Sequence, residues 1–196
     1  MNYRIREEKI RSFIAFDLDD PEMLLRIEGV QRELLSTESK ITVVHPENLH
    51  VTMSFLGEIP ERTVDHIITE LQQVEFTPFQ LSVRGVGAFP NLRRINVIWV
   101  GVEKGREELG EIFKLLRRGL ARAGLAKRSE RVSPHITIAR VKSRRNIQSL
   151  SGKLLSLQDT EFGETLLDTL RLKRSVLTPN GPVYTTIAEK KAKQTG

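Results

Sequence analysis

One four-residue pattern occurs twice in this chain, as His50-Val51-Thr52-Met53 and as His135-Ile136-Thr137-Ile138. Only four histidines are present in 196 residues, so half of them carry the same tail. Alternation of this kind belongs on a β-strand, where side chains two apart share a face. His50 and Thr52 would then point one way while Val51 and Met53 enter a core, and the second motif would do likewise. Two strands related by a dyad would set the His-Thr pairs on opposite walls of one cleft. Imidazoles titrate near neutrality, so two of them across a small gap can act as base and acid at one reacting centre. The threonine hydroxyls can donate to substrate oxygens, and phosphate is the oxyanion best matched to donors on both sides.

Other readings of the same residues are blander. A single strand histidine is ordinarily a structural residue, but a second copy in a matching strand reverses that balance. A zinc site would need a third ligand and an open position, and no His or carboxylate lies four residues after either motif histidine. No metal is therefore expected. His45, before Pro46 in an expected loop, and His66, beside the apolar stripe of an expected helix, read as incidental. The absence of cysteine excludes thiol nucleophiles and Cys-ligated metals. There is no G-x-S-x-G elbow, phosphate-binding loop or dinucleotide fingerprint.

The elements that must position the motifs follow from hydrophobic period. Residues 11–18 read as a strand, and Asp20 with Pro21 caps a helix to about Thr37, with Leu24, Ile27, Leu34 and Leu35 inward. Residues 49–56 form the first motif strand. Pro60 opens a helix with Val64, Ile67, Ile68 and Leu71 on its apolar face, followed by a strand over 79–86. The order then starts again: strand 94–102, helix 106–123 (Leu109, Ile112, Phe113, Leu116, Leu120), motif strand 133–141, helix 147–157 and strand 166–173. A turn over 178–182 and a last strand over 183–188 complete the chain. The repeat covers about 11–87 and 94–175, an offset of about 84 residues. It predicts an α+β fold of two pseudo-symmetric lobes, each of antiparallel sheet plus helices, around a central cleft. Residues 1–189 are expected to form that single bilobal domain and 190–196 a disordered basic tail.

Composition narrows the partners. Thirty-one Lys and Arg against 25 Asp and Glu give +6, which favours a polyanion. No apolar run approaches the roughly 20 residues that span a bilayer, and the N-terminus lacks the features of a signal peptide. A cytoplasmic location is expected.

The paired motifs resemble those of the 2H phosphoesterase superfamily, more narrowly the LigT-like RNA 2′,3′-cyclic phosphodiesterases, also called 2′-5′ RNA ligases. The resemblance extends from RSFIAFDL through Asn48–Thr52 with Phe55-Leu56-Gly57, GVGAFPNLRRINVIWVGV and Pro134–Lys142 to LKRSVLTPNGPVYTTIA. It implies a bilobal fold and opening of an RNA 2′,3′-cyclic phosphate to a 2′-phosphate, without metal or nucleotide cofactor. It also implies the chemical reverse, with a 5′-hydroxyl in place of water. RNA bearing such an end is the expected partner, tRNA fragments among the candidates, and the protein is expected to be a monomer. One histidine would deprotonate water and the other protonate the departing 3′-oxygen. We take His135 as base and His50 as acid, although their near-symmetry leaves the reverse open. Thr52 and Thr137 would hold non-bridging oxygens, and the family pattern implies a phosphate-binding role for Arg140. On a regular strand Arg140 shares the parity of Ile136 and Ile138 and would face the core, so a break near Ala139–Arg140 is predicted.

Basic residues at 93, 94, 142, 144, 145, 173 and 174 could guide RNA, half or more of them being simple surface. Phe89, in an expected loop after Gly87, could stack a terminal base, but packing on the body is the more ordinary role of a loop phenylalanine. Two other functions stay open at this stage. One is a non-catalytic nucleotide- or RNA-binding module of the same fold. The other is a phosphodiesterase for another small cyclic phosphate.

Overall fold

A computed structural model describes residues 8–125, 133–179 and 181–194. The extreme N-terminus, Asn180 of the expected turn and the last two residues of the expected tail lie outside that set.

Strands are β1 (Lys9–Asp17), β2 (Ile41–Val43), β3 (His50–Pro60), β4 (Phe79–Asn91), β5 (Arg94–Val102), β6 (His135–Val141), β7 (Glu161–Leu167), β8 (Thr169–Thr178) and β9 (Gly181–Lys191). Helices are α1 (Pro21–Leu35), α2 (Val64–Gln72), α3 (Arg106–Arg122) and α4 (Ile147–Ser156). All strand pairs are antiparallel in one curled sheet of order β7-β4-β5-β6-β3-β1-β8-β9, with β2 added beside β6. The motif strands β3 and β6 are neighbours at its centre. They touch through a single residue pair, Val51 opposite Ile136, and splay apart on either side of it. The expected opposite walls are thus two adjoining strands, and the pseudo-dyad runs through that pair.

Strand order also shows that sequence halves are not lobes. β8, from the second repeat, pairs with β1, and β4, from the first, pairs with β5. The helices cross over too: α1 packs with α4 and on β6 and β7, while α2 packs with α3 and β9. Each lobe therefore takes elements from both repeats. Period cannot reveal such an exchange, because pairing partners lie far apart in sequence.

The helix calculus was largely local. Asp20 accepts from the Met23 N–H at 2.8 Å and Pro21 occupies the first turn, as the capping residues require. The buried face of α1 is Met23, Ile27, Val30, Gln31 and Leu34, whereas Leu35 is exposed. A polar Gln31 takes the inward place expected of a leucine, for a reason found in β6. α3 buries Leu109, Ile112, Leu116 and Leu120 as its spacing predicts. Residues 190–194 are not a loose tail: Lys190 and Lys191 belong to β9. The Ala192 and Lys193 N–H groups then donate to Asp168 O (2.7 Å) and Phe76 O (2.8 Å).

Candidate active site

Both motif strands open with the same local device. The Nδ1 of His50 lies 2.7 Å from the carbonyl oxygen of Asn48, and that of His135 lies 2.6 Å from Ser133 O. A carbonyl only accepts, so each Nδ1 carries hydrogen and each Nε2 is left to exchange a proton. The register at Val51–Ile136 puts His50, Thr52, His135 and Thr137 on the same face of the two strands.

Each imidazole sits among aromatic rings. His50 lies against Phe13 (centroids 4.9 Å apart) and meets Tyr184 edge-on at 5.6 Å. His135 meets Phe89 edge-on at 4.9 Å and Trp99 at 6.4 Å. Phe89 is therefore a strand residue and not a loop residue, and the part of the body it packs on includes His135. Trp99 can lie there because residue 87 is glycine; any Cβ at that position would collide with the indole ring.

The electrostatic settings differ. Burial pushes His50 below its ordinary value of 6.5, partly offset by the Asn48 carbonyl and by the carboxylate of Asp17. Lys173 and His135 act in the same direction as burial, so the two imidazoles sense each other. The position across from His50 is Asp17, while the position across from His135 is Gly101.

Arg140 reaches the site by a bulge. Ala139 pairs with Ile98 and Thr137 with Trp99, leaving Ile138 as the extra residue. Ile138 and Ala139 are both buried and Arg140 is exposed, so the face is reset by one position. The predicted break exists, one residue earlier than expected. Gln31 completes it: its side-chain amide donates to Ile138 O (2.9 Å) and Val44 O (2.8 Å). The Ile138 carbonyl also accepts from the Val44 N–H (2.8 Å), so the buried amide ties the bulge of β6 to the segment that follows β2.

A cavity of about 670 Å³ is lined by His50, Thr52, Phe55, Thr137, Arg140 and Tyr184, among others. His135 does not line it; it lines a second space of about 360 Å³ with Trp99, Gly101, Arg106 and Ser133. Four of the five residues singled out from sequence thus share one cavity, and the fifth lines another. Sequence reasoning missed Phe55, which is 38% exposed in the cavity with the Arg11 guanidinium 4.9 Å from its ring centre. Its signal was available: Phe55 follows Thr52 by three residues, as Arg140 follows Thr137. His45 lines the cavity and is not remote from the site, and so does Lys142. Lys173 is buried and ion-paired, so it does not offer charge to RNA. Among the described residues no three His, Asp or Glu side chains converge as metal ligands.

The LigT-like phosphoesterase profile matches residues 18–99 and again 100–184, once for each repeat. An RNA 2′,3′-cyclic phosphodiesterase of Archaeoglobus fulgidus is 38% identical over 175 residues, covering 89% of this chain and 96% of its own. The enzyme of the same name from Methanothermobacter thermautotrophicus is 36% identical over 180 residues, covering 90% and 96%. The crystal structure of TT0787 from Thermus thermophilus superposes with a TM-score of 0.76 at 27% identity, covering 93% of this chain and 97% of that one. E. coli LigT, solved with 3′-AMP, shares the fold at a TM-score of 0.74 and 22% identity, over 95% and 99%.

Proposed function

The chain belongs to the LigT-like phosphoesterase family, and from that premise we propose that it opens RNA 2′,3′-cyclic phosphates to 2′-phosphomonoesters with His50 and His135 as its acid–base pair. The observation that carries this reading is the matched tethering of both imidazoles. Each is held through Nδ1 by a carbonyl two residues earlier, which leaves both Nε2 atoms to exchange protons.

The two cavities give the histidines different tasks. In-line displacement puts the attacking oxygen and the leaving oxygen on opposite sides of phosphorus. The leaving 3′-oxygen belongs to the terminal nucleoside, which needs the larger space, on the His50 side. Water needs little room and enters from the smaller space bordered by His135. His135 then takes a proton from water as its oxygen bonds to phosphorus. The P–O3′ bond breaks, and the Nε2–H of His50 protonates O3′. Thr52, Thr137 and Arg140 hold the non-bridging oxygens, the guanidinium meeting their charge directly. The exposed ring of Phe55 offers a stacking face for the terminal base. With a 5′-hydroxyl in place of water, the reverse path through the same groups would form a 2′-5′ bond. RNA is the partner, and the whole bilobal unit works as one domain, since each lobe needs strands of both repeats.

No metal takes part in this path. The test is an oligoribonucleotide ending in a 2′,3′-cyclic phosphate, incubated with the protein and excess chelator. The expected result is full conversion to a 2′-phosphate, lost in His50→Ala and His135→Ala. Binding without turnover would identify an RNA-binding module instead, and chelator inhibition would overturn the metal-free path.

A further inference from the structure

Beneath His50 lies an ion pair that phosphate chemistry does not require. Lys173 is only 5% exposed, yet its ammonium donates to both oxygens of Asp17, at 2.7 and 2.6 Å. The Arg171 guanidinium stands 3.6 Å from the same carboxylate and is itself shared with Glu189 at 2.8 Å. These residues lie on the cleft face of β1 and β8, with Lys173 across from Phe13, the ring on which His50 rests. Burying an ammonium and a carboxylate costs solvation, and an apolar pair would join β1 to β8 at least as well. The placement is also one-sided. Asp17 stands across from His50, while the matching position across from His135 is Gly101, where a Cβ would lie 2.7 Å from the Arg84 carbonyl oxygen.

We propose that Asp17, held in place by Lys173, is a positioning residue that offsets the burial of His50 and so helps its imidazole carry the proton it donates. The inference rests on the acid–base reading above and supplies what that reading lacks, a counterweight to the burial of its acid. Asp17 makes no hydrogen bond to the ring, because His50 Nδ1 is taken by Asn48, so it acts through space and leaves Nε2 free for the substrate. Its carboxylate favours the imidazolium against the effect of burial, and Lys173 opposes it less strongly. Lys173 thus fixes the carboxylate in place while leaving a net pull on the proton. The other charged or titratable groups around His50 are Arg11 of β1, Tyr184 of β9, His135 and Arg140 of β6, and His45 and Lys142 at the cavity wall. Among those facing groups no other carboxylate is present.

The test is an NMR titration of the histidine ring signals in the free protein, in wild type and four variants. Asp17→Asn lowers the His50 midpoint by about one pH unit, and Lys173→Met raises it by about as much. The double variant returns close to wild type, and Lys173→Arg leaves the midpoint in place. Steady-state rates add a second readout: Asp17→Asn loses kcat at neutral pH with KM little changed. An ion pair that only staples two strands would shift nothing, or would shift both single variants in the same direction; either result overturns the proposal. If Lys173→Met does not fold, Asp17→Asn against Lys173→Arg decides the matter, since an unmoved His50 in the folded Asp17→Asn protein is sufficient to reject it. The titration needs no substrate, so it stands or falls independently of turnover.

Discussion

After Thr52, strand β3 bulges at Met53–Ser54 and presents Phe55 to the cavity; after Thr137, β6 bulges at Ile138–Ala139 and presents Arg140. The two motif strands therefore share a backbone path as well as a sequence pattern. What stands at the reset position differs, a flat apolar ring on one side and a guanidinium on the other. The opposing residues differ as well, Asp17 for His50 and Gly101 for His135. On the proposed reading, the symmetric frame supplies the two imidazoles, and its asymmetric fittings would separate the nucleoside end of the substrate from its attacked phosphate. The duplicated part would then carry the chemistry and the diverged part give it direction.

The comparison can be broken most severely at the histidines. His50→Ala and His135→Ala should each lower kcat by about 10²–10⁴-fold, and the double variant should be little worse than either, since the two act as a unit. Next come the residues that differ. Arg140→Ala should lower kcat/KM by about tenfold to a hundredfold through both constants, whereas Phe55→Ala should act mainly on KM. Exchanging them, Phe55→Arg with Arg140→Phe, should rescue neither loss, and a rescued enzyme would show that the two sides are interchangeable. A smaller effect is expected one layer out. Gln31→Leu removes two hydrogen bonds beneath the β6 bulge and should cost about 1–3 kcal/mol in denaturant unfolding, with a drop in kcat as Arg140 loses its seat. The smallest concerns pH and stability. Folded His50 titrates below 6.5, so as pH falls from 6.5 toward its folded value the unfolded chain binds more protons and stability is lost. Above about pH 6.5 the contribution is complete. Urea midpoints between about pH 7 and 5 should fall less steeply in His50→Gln than in wild type.

Much of this site is written locally. The two-residue period of a strand brings out His50, Thr52, His135 and Thr137 without any fold, and the wrong parity of Arg140 is enough to demand a bulge. Helix limits follow from caps such as Asp20-Pro21 and from apolar spacing, as in α3. What depends on distant partners stays hidden. The exchange of β4 and β8 between lobes, the extension of β3 through Pro60 and the anchoring of Ala192 and Lys193 are all set by pairing across the chain. Lys173 reads as a basic surface residue until Asp17, far away in sequence, is brought beneath the same histidine. Gln31 on an apolar helix face makes sense only once the carbonyls of Val44 and Ile138 are brought beneath α1.

The account's central claim is that two imidazoles work on one phosphorus in opposite protonation states. The most direct measurement is the rate of cyclic-phosphate opening across pH, with saturating oligoribonucleotide and chelator present. The account predicts a bell-shaped profile, because one ring must be neutral while the other is protonated. It also predicts that His135→Gln and His50→Gln each abolish one limb of the residual rate. A rate that climbs without a maximum from about pH 5 to 9 in the wild-type enzyme would contradict paired-histidine catalysis.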